Sequence, residues 1–398
     1  MKAGFFEVAF RGRWHAKRDG RGRSPFPAKS PFIRMTEPLR NPSITVACGA
    51  SRGPVSNIMK RYYQGLICLG LLLLLGATAF GALFWGAASL SRGDVLDALR
   101  ALVTGGAAAN PNLYNLVVMV RLPRVCLCVL SGAALSIVGI LMQTLTGNPL
   151  AEPYVLGVSS GASAGAAGAI VFRWFAFLPV GRVVFSAFVG SFVAIALVVA
   201  LQGKSTSPVR LVLTGMGVSA FFQAATTLII YSSNNEAQAR SAQYWLTGSF
   251  SGSNWADVRV TLAALILLLV LCRLLEKELD LMLLGQDAAA QSGMNVRAMQ
   301  LILILLSALA VSVVVSVSGL VGFVGLIIPH IMRRVVDTSH RWLVPASALA
   351  GGCFLNLADT VARTAFAPQE MPIGVMTAFI GAPVFILMIR RIYHENRG

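Results

Sequence analysis

Residues 299–332 read MQLILILLSALAVSVVVSVSGLVGFVGLIIPHIM, an almost unbroken apolar run. One straight helix of this length, at about 1.5 Å per residue, would overshoot a hydrocarbon core about 30 Å thick. Three glycines and a proline interrupt the run, at Gly319, Gly322, Gly325 and Pro329. The pattern therefore predicts a full membrane span followed by a short span or a re-entrant segment.

The rest of the chain has the same apolar character. Of its 398 residues, 56% are hydrophobic and 12% are charged, and charged residues make up about 25% of ordinary soluble domains. The mean hydropathy is +0.71. This composition excludes a disordered chain, a collagen, a disulfide-rich secreted module and an ordinary soluble enzyme. It predicts an all-α polytopic membrane protein.

Eight further apolar segments bring the expected total to about ten spans, which leaves only short loops within one membrane domain. A short amphipathic stretch, SRGDVLDALRALV, follows the first of them from Ser91. The eight segments cover residues 66–88, 125–145, 154–172, 183–202, 211–231, 258–272, 343–366 and 373–389.

Residues 1–61 differ from the rest in composition. They hold 13 basic and 3 acidic residues, a net charge of +10, and they are rich in Pro, Gly and Ser. Such a segment cannot bury a core, so we expect a disordered tail before a membrane domain over residues 62–398. Met35 and Met59 are alternative starts, and the long apolar run that follows disfavours a signal peptide.

The basic excess indicates membrane orientation rather than nucleic-acid binding. Lys and Arg concentrate in cytoplasmic segments of membrane proteins. The basic tail and the arginines at the C-terminus, Arg390, Arg391 and Arg397, place both termini in the cytoplasm. The same rule accounts for a pI near 10.4 without a nucleic-acid partner.

Ionisable groups are scarce inside the predicted spans. Proton-coupled carriers usually need intramembrane carboxylates or histidines. The internal acid is Asp359, four residues before Arg363, a spacing that favours a structural ion pair near the outer end. If the protein moves a solute uphill, we therefore expect another subunit to supply the energy, although sodium coupling through backbone carbonyls stays open.

We find no catalytic set and no metal motif in the sequence. His330 follows Pro329 and is interpreted as a structural histidine, and the six cysteines lack zinc-ligand spacing. Residues 203–206, GKST, resemble the end of a phosphate-binding loop, but Val198 stands where that motif needs glycine. GVSSGASAGAAG, with Gly157, Gly161 and Gly165, predicts close helix packing.

Four segments decide between the remaining classes. RLPR, GAALSIVGILMQTLTGNPLAEPYVLGVSSGASAG, GLVGFVGLIIPHIMRR and PIGVMTAFIGAPVFILMIRR occur in this order between Arg121 and Arg391. Together they resemble the permease family of type II ABC importers for iron chelates, heme and cobalamin. The resemblance implies the type II ABC importer permease fold, with about ten transmembrane helices, in the bacterial inner membrane.

The same resemblance implies the partners and the cargo. It predicts a homodimer, two cytoplasmic ATP-binding subunits and a periplasmic substrate-binding protein, besides membrane lipid. No cofactor is expected in this chain, because ATP and Mg²⁺ belong to the partner ATPase, and the chain itself is not an enzyme. We expect ferric siderophore first, heme second and cobalamin third as the ligand carried from periplasm to cytoplasm.

Three groups of site residues follow from the family motifs. Arg121, Arg124 and Arg363 match arginines that dock the acidic binding protein, and lipid-headgroup anchoring is the alternative. The segment at about 276–297 matches the coupling loop that contacts the ATPase, although Gly285-Gln286 replaces the usual Gly-Glu, and an ordinary amphipathic loop is the alternative. The predicted coupling residues are Gly285, Gln286, Asp287, Ala290 and Gly293.

The predicted cytoplasmic gate has two parts. Asn148 and Leu150 follow the second span, and Thr206 and Ser207 follow the fourth. Asn148-Pro149 and Glu152-Pro153 interrupt the helix, and the residues alone are equally compatible with a gate and a plain turn.

The rival functional classes are an ion-coupled secondary transporter and a membrane-embedded enzyme.

Overall fold

A computed structural model describes residues 54–86, 90–178 and 181–395. The predicted tail at 1–61 lies outside these ranges except for its last residues, where the first helix begins. Fifteen α-helices fill the described ranges: α1 Pro54–Ala82, α2 Arg92–Thr104, α3 Pro111–Asn115, α4 Leu122–Thr146, α5 Val158–Val171, α6 Arg182–Gln202, α7 Pro208–Tyr231, α8 Glu236–Leu246, α9 Trp255–Leu274, α10 Glu276–Met282, α11 Gln286–Gln291, α12 Val296–Ser318, α13 Val324–Val335, α14 His340–Thr364 and α15 Ile373–Glu395.

Seven of the described helical stretches are long and apolar enough to cross a membrane. They contain α1, α4, α6, α7, α9, α12 and α15. The shorter α5 and α13 and the more polar α14 complete a set of about ten. The all-α polytopic fold predicted from the sequence is therefore confirmed.

Several boundaries differ from the expectation. α1 ends at Ala82, short of the predicted 88, and α3 runs through a π-helical turn, Leu116–Arg121, directly into α4. The sequence did not predict the amphipathic helix α8. Asn235 caps its start, where the Asn235 side chain accepts the Ala237 N–H at 2.9 Å. A hydropathy profile does not reveal a short polar helix, because a capping side chain, rather than an apolar run, marks where such a helix begins.

The decisive apolar run breaks where its glycines indicate. α12 ends at Ser318, residues 319–323 are non-helical, and α13 resumes at Val324. Phe323 takes the left-handed conformation at φ 67° just before α13 begins. Pro329 lies inside α13 and does not end it. A long apolar helix followed by a short helix is therefore the observed arrangement.

α4 is the central helix of the membrane domain and is buried along almost all of its length. It packs against α9, α12, α13 and α14. α1 runs beside α14 and exposes leucines on its other side, as expected of a helix that faces lipid. α4 therefore crosses the whole domain, and polar side chains lie at both of its ends.

The small-residue motif performs the predicted packing. Gly161 and Gly165 of α5 face the backbone of α6 at Gly190 and Ser186, so closely that an added Cβ would overlap carbonyl oxygens. Ser186 Oγ also donates to the Gly165 carbonyl at 2.6 Å. α5 and α6 therefore form a tight pair in which glycine is required at the contact.

Candidate functional site

A buried cluster of charges lies at the beginning of α4. We call it the Arg124 cluster, and it consists of Arg121, Arg124, Asp359, Arg363 and Glu370. Arg124 donates from Nε and Nη2 to the Asp359 carboxylate at 2.9–3.2 Å and from Nη1 to Glu370 at 2.9–3.0 Å. Arg363 Nε lies 3.5 Å from Asp359 Oδ2. The predicted ion pair between Asp359 and Arg363 is therefore confirmed. The sequence did not reveal Arg124, which lies closer to the Asp359 carboxylate than Arg363 does.

The cluster also holds the end of α1. Arg121 Nη1 donates to the Leu83 carbonyl at 2.7 Å, and Arg363 Nη2 donates to the Ala82 carbonyl at 2.6 Å. These carbonyls belong to the last residues of α1 and the turn after it, where no further helical N–H is available. The arginines therefore join α1, α4 and α14 at one end of the molecule.

A second polar group lies at the other end of α4. We call it the His340 bridge, and it consists of Asp280, His340 and Thr144. His340 Nδ1 is 2.6 Å from Asp280 Oδ1, and its Nε2 is 3.0 Å from the Thr144 hydroxyl. The imidazole side chain is fully buried. With the proton on Nδ1 donated to Asp280, Nε2 accepts from Thr144, so both ring nitrogens are satisfied.

Asp280 makes further contacts with the start of α14. Its Oδ1 accepts the His340 backbone N–H at 3.0 Å, and its Oδ2 accepts from Ser339 Oγ at 3.3 Å. Partial burial alone would raise the pKa of Asp280, but the hydrogen bonds from His340 and Ser339 outweigh it and hold the pKa below its usual value. The carboxylate is therefore ionised at neutral pH.

The segment between α9 and α12, which holds the predicted coupling residues, contains the two short helices α10 and α11. α10 contacts α4, α9, α11 and α14, whereas α11 contacts α10 and α12. Gly285, at φ 100°, separates the two helices. Leu283 and Leu284 are exposed between them, at 42% and 71%.

The coupling residues themselves are mostly on the surface. Gly285, Asp287, Ala290 and Gly293 are exposed, and Gln286, the first residue of α11, is half-buried. Ala289 is buried and fixes α11 against the domain. The structure thus brings the predicted coupling residues together on one exposed segment.

The first predicted gate segment follows α4 directly. Asn148 is exposed, and its Oδ1 accepts the Leu150 N–H at 2.9 Å. The half-buried Leu150 packs against Leu326 and Ile327 of α13. The segment is therefore a tight turn that leads from the end of α4 toward α5 and packs against α13.

The second predicted gate segment lies between α6 and α7. The Thr206 carbonyl accepts from the Gln300 side-chain amide of α12 at 2.9 Å, and Ser207 begins α7 by accepting the Arg210 N–H at 3.4 Å. Among the residues that the structure describes, no hydrogen bond joins this segment to Asn148 or Leu150. The second segment instead contacts α12, which packs against α11, and the first continues directly from α4, which packs against α10.

The connector between α4 and α5 is also held against the broken apolar run. Glu152 Oε1 accepts the Phe323 N–H at 2.9 Å, and Tyr154 Oη donates to the Val321 carbonyl at 2.6 Å. Glu152 and Tyr154 line an open cavity of about 480 Å³ together with Phe379 of α15. A mostly buried carboxylate therefore lies in the interior, at a position that a search of the spans alone overlooked.

Within the described ranges, no three His, Cys, Asp or Glu side chains are grouped so as to hold a metal ion. The described cysteines carry free thiols: Cys68, Cys126, Cys128, Cys272 and Cys353. Cys48 lies outside the described residues.

The comparison with protein families decides the identity. The profile of the FecCD transport family matches residues 71–391. The chain belongs to the FecCD transport family. The membership predicted from the four sequence motifs is therefore confirmed, and the match ends at Arg391 as the resemblance did.

Individual relatives agree with the family. The hemin transport system permease of Yersinia pestis is 37% identical over 341 residues, which cover 84% of this chain and 98% of the relative. The Fe(3+) dicitrate transport system permease of Escherichia coli K12 is 36% identical over 304 residues, covering 76% and 94%. FecCD proteins with these names are permease subunits of ABC importers, and this chain is such a subunit.

A solved structure shows the same fold. A metal-chelate type ABC transporter in an inward-facing conformation superposes with a TM-score of 0.72 at 33% identity. The match covers 82% of this chain and 99% of that structure's chain. The type II permease fold expected from the sequence is thus confirmed over nearly the whole membrane domain.

The docking arginines of this FecCD chain lie deeper than the expected role suggests. Arg121, Arg124 and Arg363 are only 5%, 7% and 2% exposed. Their guanidinium groups bind carbonyls and carboxylates of the same chain. The structure brings all three together at one end, and their contact with a binding protein stays a prediction.

Sequence reasoning missed the polar contacts between elements. His340, Thr144 and Gln300 lie at or beside the ends of apolar segments, and no local motif pairs them. The one usable signal was burial, because a histidine or glutamine inside an apolar segment needs a hydrogen-bond partner. That signal indicates that a partner exists without indicating which residue it is.

Proposed function

We propose that this FecCD chain is the membrane-spanning permease of an ATP-driven importer that moves an iron chelate from periplasm to cytoplasm. The observation that carries the proposal is the exposed α10–α11 segment: its neighbour α4 continues directly into the first predicted gate segment, and its neighbour α12 hydrogen-bonds the second. A transporter driven by a separate ATPase needs such a connection between an exposed surface and the pathway. An ion-coupled carrier needs no such surface.

The active unit in this proposal is a homodimer with two ATP-binding subunits beneath it. Gly285, Gln286, Asp287, Ala290 and Gly293 form the contact with the ATPase, and Leu283 and Leu284 add apolar area to it. ATP binding then biases the dimer between outward-open and inward-open states. Asn148, Leu150, Thr206 and Ser207 close the cytoplasmic side, where small polar side chains let a bulky ligand pass without binding it.

The orientation follows from the same proposal. The His340 end, which carries α10 and α11, faces the cytoplasm, and the Arg124 end faces the periplasm. α1 begins and α15 ends at the His340 end, so both termini are cytoplasmic in the inner membrane, as the basic residues near Arg390 predict.

An iron chelate is the cargo that the relatives support best. Two relatives are named for hemin and Fe(3+) dicitrate. We keep ferric siderophore as the first candidate, heme as the second and cobalamin as the third. The ligand is delivered by a binding protein that selects it, so the permease itself needs only weak contacts.

The experiment reconstitutes the full chain with its ATPase in liposomes. Binding proteins loaded with ferric siderophore, heme or cobalamin are added in turn, and ATP hydrolysis and uptake are measured together. We expect one loaded protein to stimulate both. Uptake that follows a sodium or proton gradient without ATP, or the absence of a co-purifying ATPase, would overturn the proposal.

Docking of the binding protein at the Arg124 end gives a separate prediction. Three guanidinium groups and two carboxylates leave the Arg124 cluster with one net positive charge. Removing the half-buried Glu370 charge by Glu370→Gln raises that excess, so an acidic binding protein should associate about two- to fivefold faster at low ionic strength. Surface plasmon resonance measures the association rate.

The matched control is Glu278→Gln in α10, at the opposite end of the domain. It changes the net charge of the chain equally but should leave docking unchanged. Equal changes of the association rate in the two variants would contradict docking at the Arg124 end. A difference between their association rates that persists in high salt would also contradict it, because salt screens attraction between exposed charges.

A further inference from the structure

The start of α14 depends on a residue from another helix. The first N–H groups of an α-helix have no intrahelical acceptor. Ser339 precedes α14 but its side chain makes no cap hydrogen bond to the helix. Asp280 of α10 takes that role, because its Oδ1 accepts the His340 N–H at 3.0 Å. A negative charge at this position also complements the helix dipole.

The His340 side chain extends the contact to α4. Its ring presents nitrogens on two edges, one toward Asp280 at 2.6 Å and one toward Thr144 at 3.0 Å. The ring is planar and fully buried, so it cannot fill the gap if either neighbour moves away. Displacement of α10 must therefore either carry Thr144 along or break a buried hydrogen bond.

Thr144 occupies a sensitive position. It lies in the last turn of α4, which ends at Gly147, and the predicted gate residue Asn148 follows immediately. The Thr144 carbonyl and the neighbouring Gln143 carbonyl accept the hydrogen bonds that end the helix. The geometry of the Asn148–Leu150 turn thus depends on how Thr144 is held.

We propose that the His340 bridge transmits movement of the coupling segment to the end of α4, so that Asp280, His340 and Thr144 are positioning residues that couple ATP hydrolysis to the cytoplasmic gate. The inference rests on the proposed function, since it assumes that the ATPase moves α10 and α11. It adds specific residues and a direction of transmission, from α10 through the start of α14 to α4.

The bridge differs from ordinary local hydrogen bonds at the same end. Thr146, two residues further along α4, donates to the Met142 carbonyl of its own helix at 2.8 Å. The bridge instead joins three elements, α4, α10 and α14. Asp280 is also 37% exposed at its side chain, so its carboxylate can change partners when a neighbouring subunit displaces α10.

The decisive measurement is the number of ATP molecules hydrolysed per ligand imported. The complete complex is reconstituted in liposomes with its loaded binding protein. Thr144→Val keeps the volume of the side chain and removes the hydroxyl, and we expect the ATP-to-ligand ratio to rise about three- to tenfold. ATPase co-purification should be unchanged, because Thr144 is buried away from that surface.

Thr146→Val is the matched control, since it makes the same chemical change within the same helical turn. Its hydrogen bond is local, so the ratio should stay at the wild-type value. A merely structural role for Thr144 would lower uptake and hydrolysis in proportion and leave the ratio unchanged. That result would overturn the inference.

Conservative variants provide rescue. Thr144→Ser keeps the hydroxyl, and Asp280→Asn keeps an oxygen that accepts from His340, so both should stay near the wild-type ratio. Asp280→Ala should uncouple as Thr144→Val does, and the double variant should be no worse than either single one, because both break one chain of contacts. Additive effects would contradict a shared bridge.

Different results would overturn the proposed function and the role of the His340 bridge. If the wild-type chain shows no ATP-dependent uptake, the proposed function fails before any variant is made. If the wild type imports its ligand with ATP and Thr144→Val keeps the normal ratio, the importer stands and the His340 bridge is only structural.

Discussion

The Arg124 cluster and the His340 bridge lie at opposite ends of α4 and use different chemistry. The cluster places two guanidinium groups against two carboxylates, with Arg124 bound to both acids, and Arg121 beside them binds a backbone carbonyl. The bridge consists of one imidazole between a hydroxyl and a partly exposed carboxylate. One end is thus held by buried ion pairs and the other by single hydrogen bonds.

The difference indicates which end can rearrange. Removing one partner of a buried ion pair costs about 3–5 kcal/mol, because the remaining charge stays buried. Losing one hydrogen bond of the His340 bridge costs about 1–3 kcal/mol, because a buried ring nitrogen is left unpaired. The Arg124 end is therefore expected to move as one unit, whereas the His340 end can exchange contacts within the energy that ATP binding supplies.

The largest predicted effect tests the rigid end. Arg124→Met removes the guanidinium but keeps much of the side-chain volume, and it leaves Asp359 with only the longer contact to Arg363. We expect a loss of about 3–5 kcal/mol in the free energy of unfolding. Denaturant unfolding of the purified chain in detergent measures it.

Arg240→Met is the control, because Arg240 and Glu236 form an exposed pair with side chains 77% and 88% accessible. That variant should change stability by less than about 0.5 kcal/mol. Similar losses in the two variants would mean that the Arg124 cluster is no more rigid than a surface pair.

A smaller effect is predicted midway along α4. Gly139 faces the Gly325 backbone of α13 so closely that a Cβ would overlap its carbonyl oxygen. Gly139→Ala should push α4 and α13 apart and cost about 1–3 kcal/mol. The same unfolding measurement applies, and a matching fall in coupled uptake would show that the two ends communicate through α4.

Gly76→Ala in α1 makes the same change where the added methyl meets open space. It should be neutral or slightly stabilising, because alanine favours the helix. If Gly139→Ala is equally harmless, the close contact of α4 with α13 does not constrain the domain.

The smallest predicted effect concerns the second gate segment. Gln300→Leu removes the hydrogen bond to the Thr206 carbonyl while keeping an apolar side chain of similar size. Losing about 1 kcal/mol should speed amide hydrogen exchange in residues 203–207 by about fivefold. Mass spectrometry of the exchanged peptides measures the rate.

Gln243→Leu is the control, since Gln243 is exposed on α8. It should leave exchange in residues 203–207 unchanged. Unaltered exchange in the Gln300 variant would show that α12 does not hold this gate segment.

Much of the fold could be predicted from the sequence. Apolar runs of about 20 residues identify spans because hydrocarbon burial depends on local composition. The break near Gly319 was predicted for the same reason, since the run from 299 to 332 is too long for one crossing. Helix ends that depend on a capping residue, as at Asn235, were harder to predict from the sequence, because a cap is a single side chain rather than a repeated pattern.

The site was only partly predictable. Family motifs placed the candidate arginines, gate residues and coupling segment, and the structure groups them at two ends. Burial of the arginines was not expected, because RLPR reads as an exposed basic motif. The acids that surround Arg124 lie more than 230 residues further along the chain, at Asp359 and Glu370.

Sequence by itself predicted about ten spans, the family and the break near Gly319, because each depends on residues close together in the chain. Only the tertiary structure decided which polar side chains meet. Thr144 and His340 are 196 residues apart and Gln300 and Thr206 are 94 apart. Buried polar groups must find partners, but which partner each finds depends on helix packing, which brings distant residues within 3 Å.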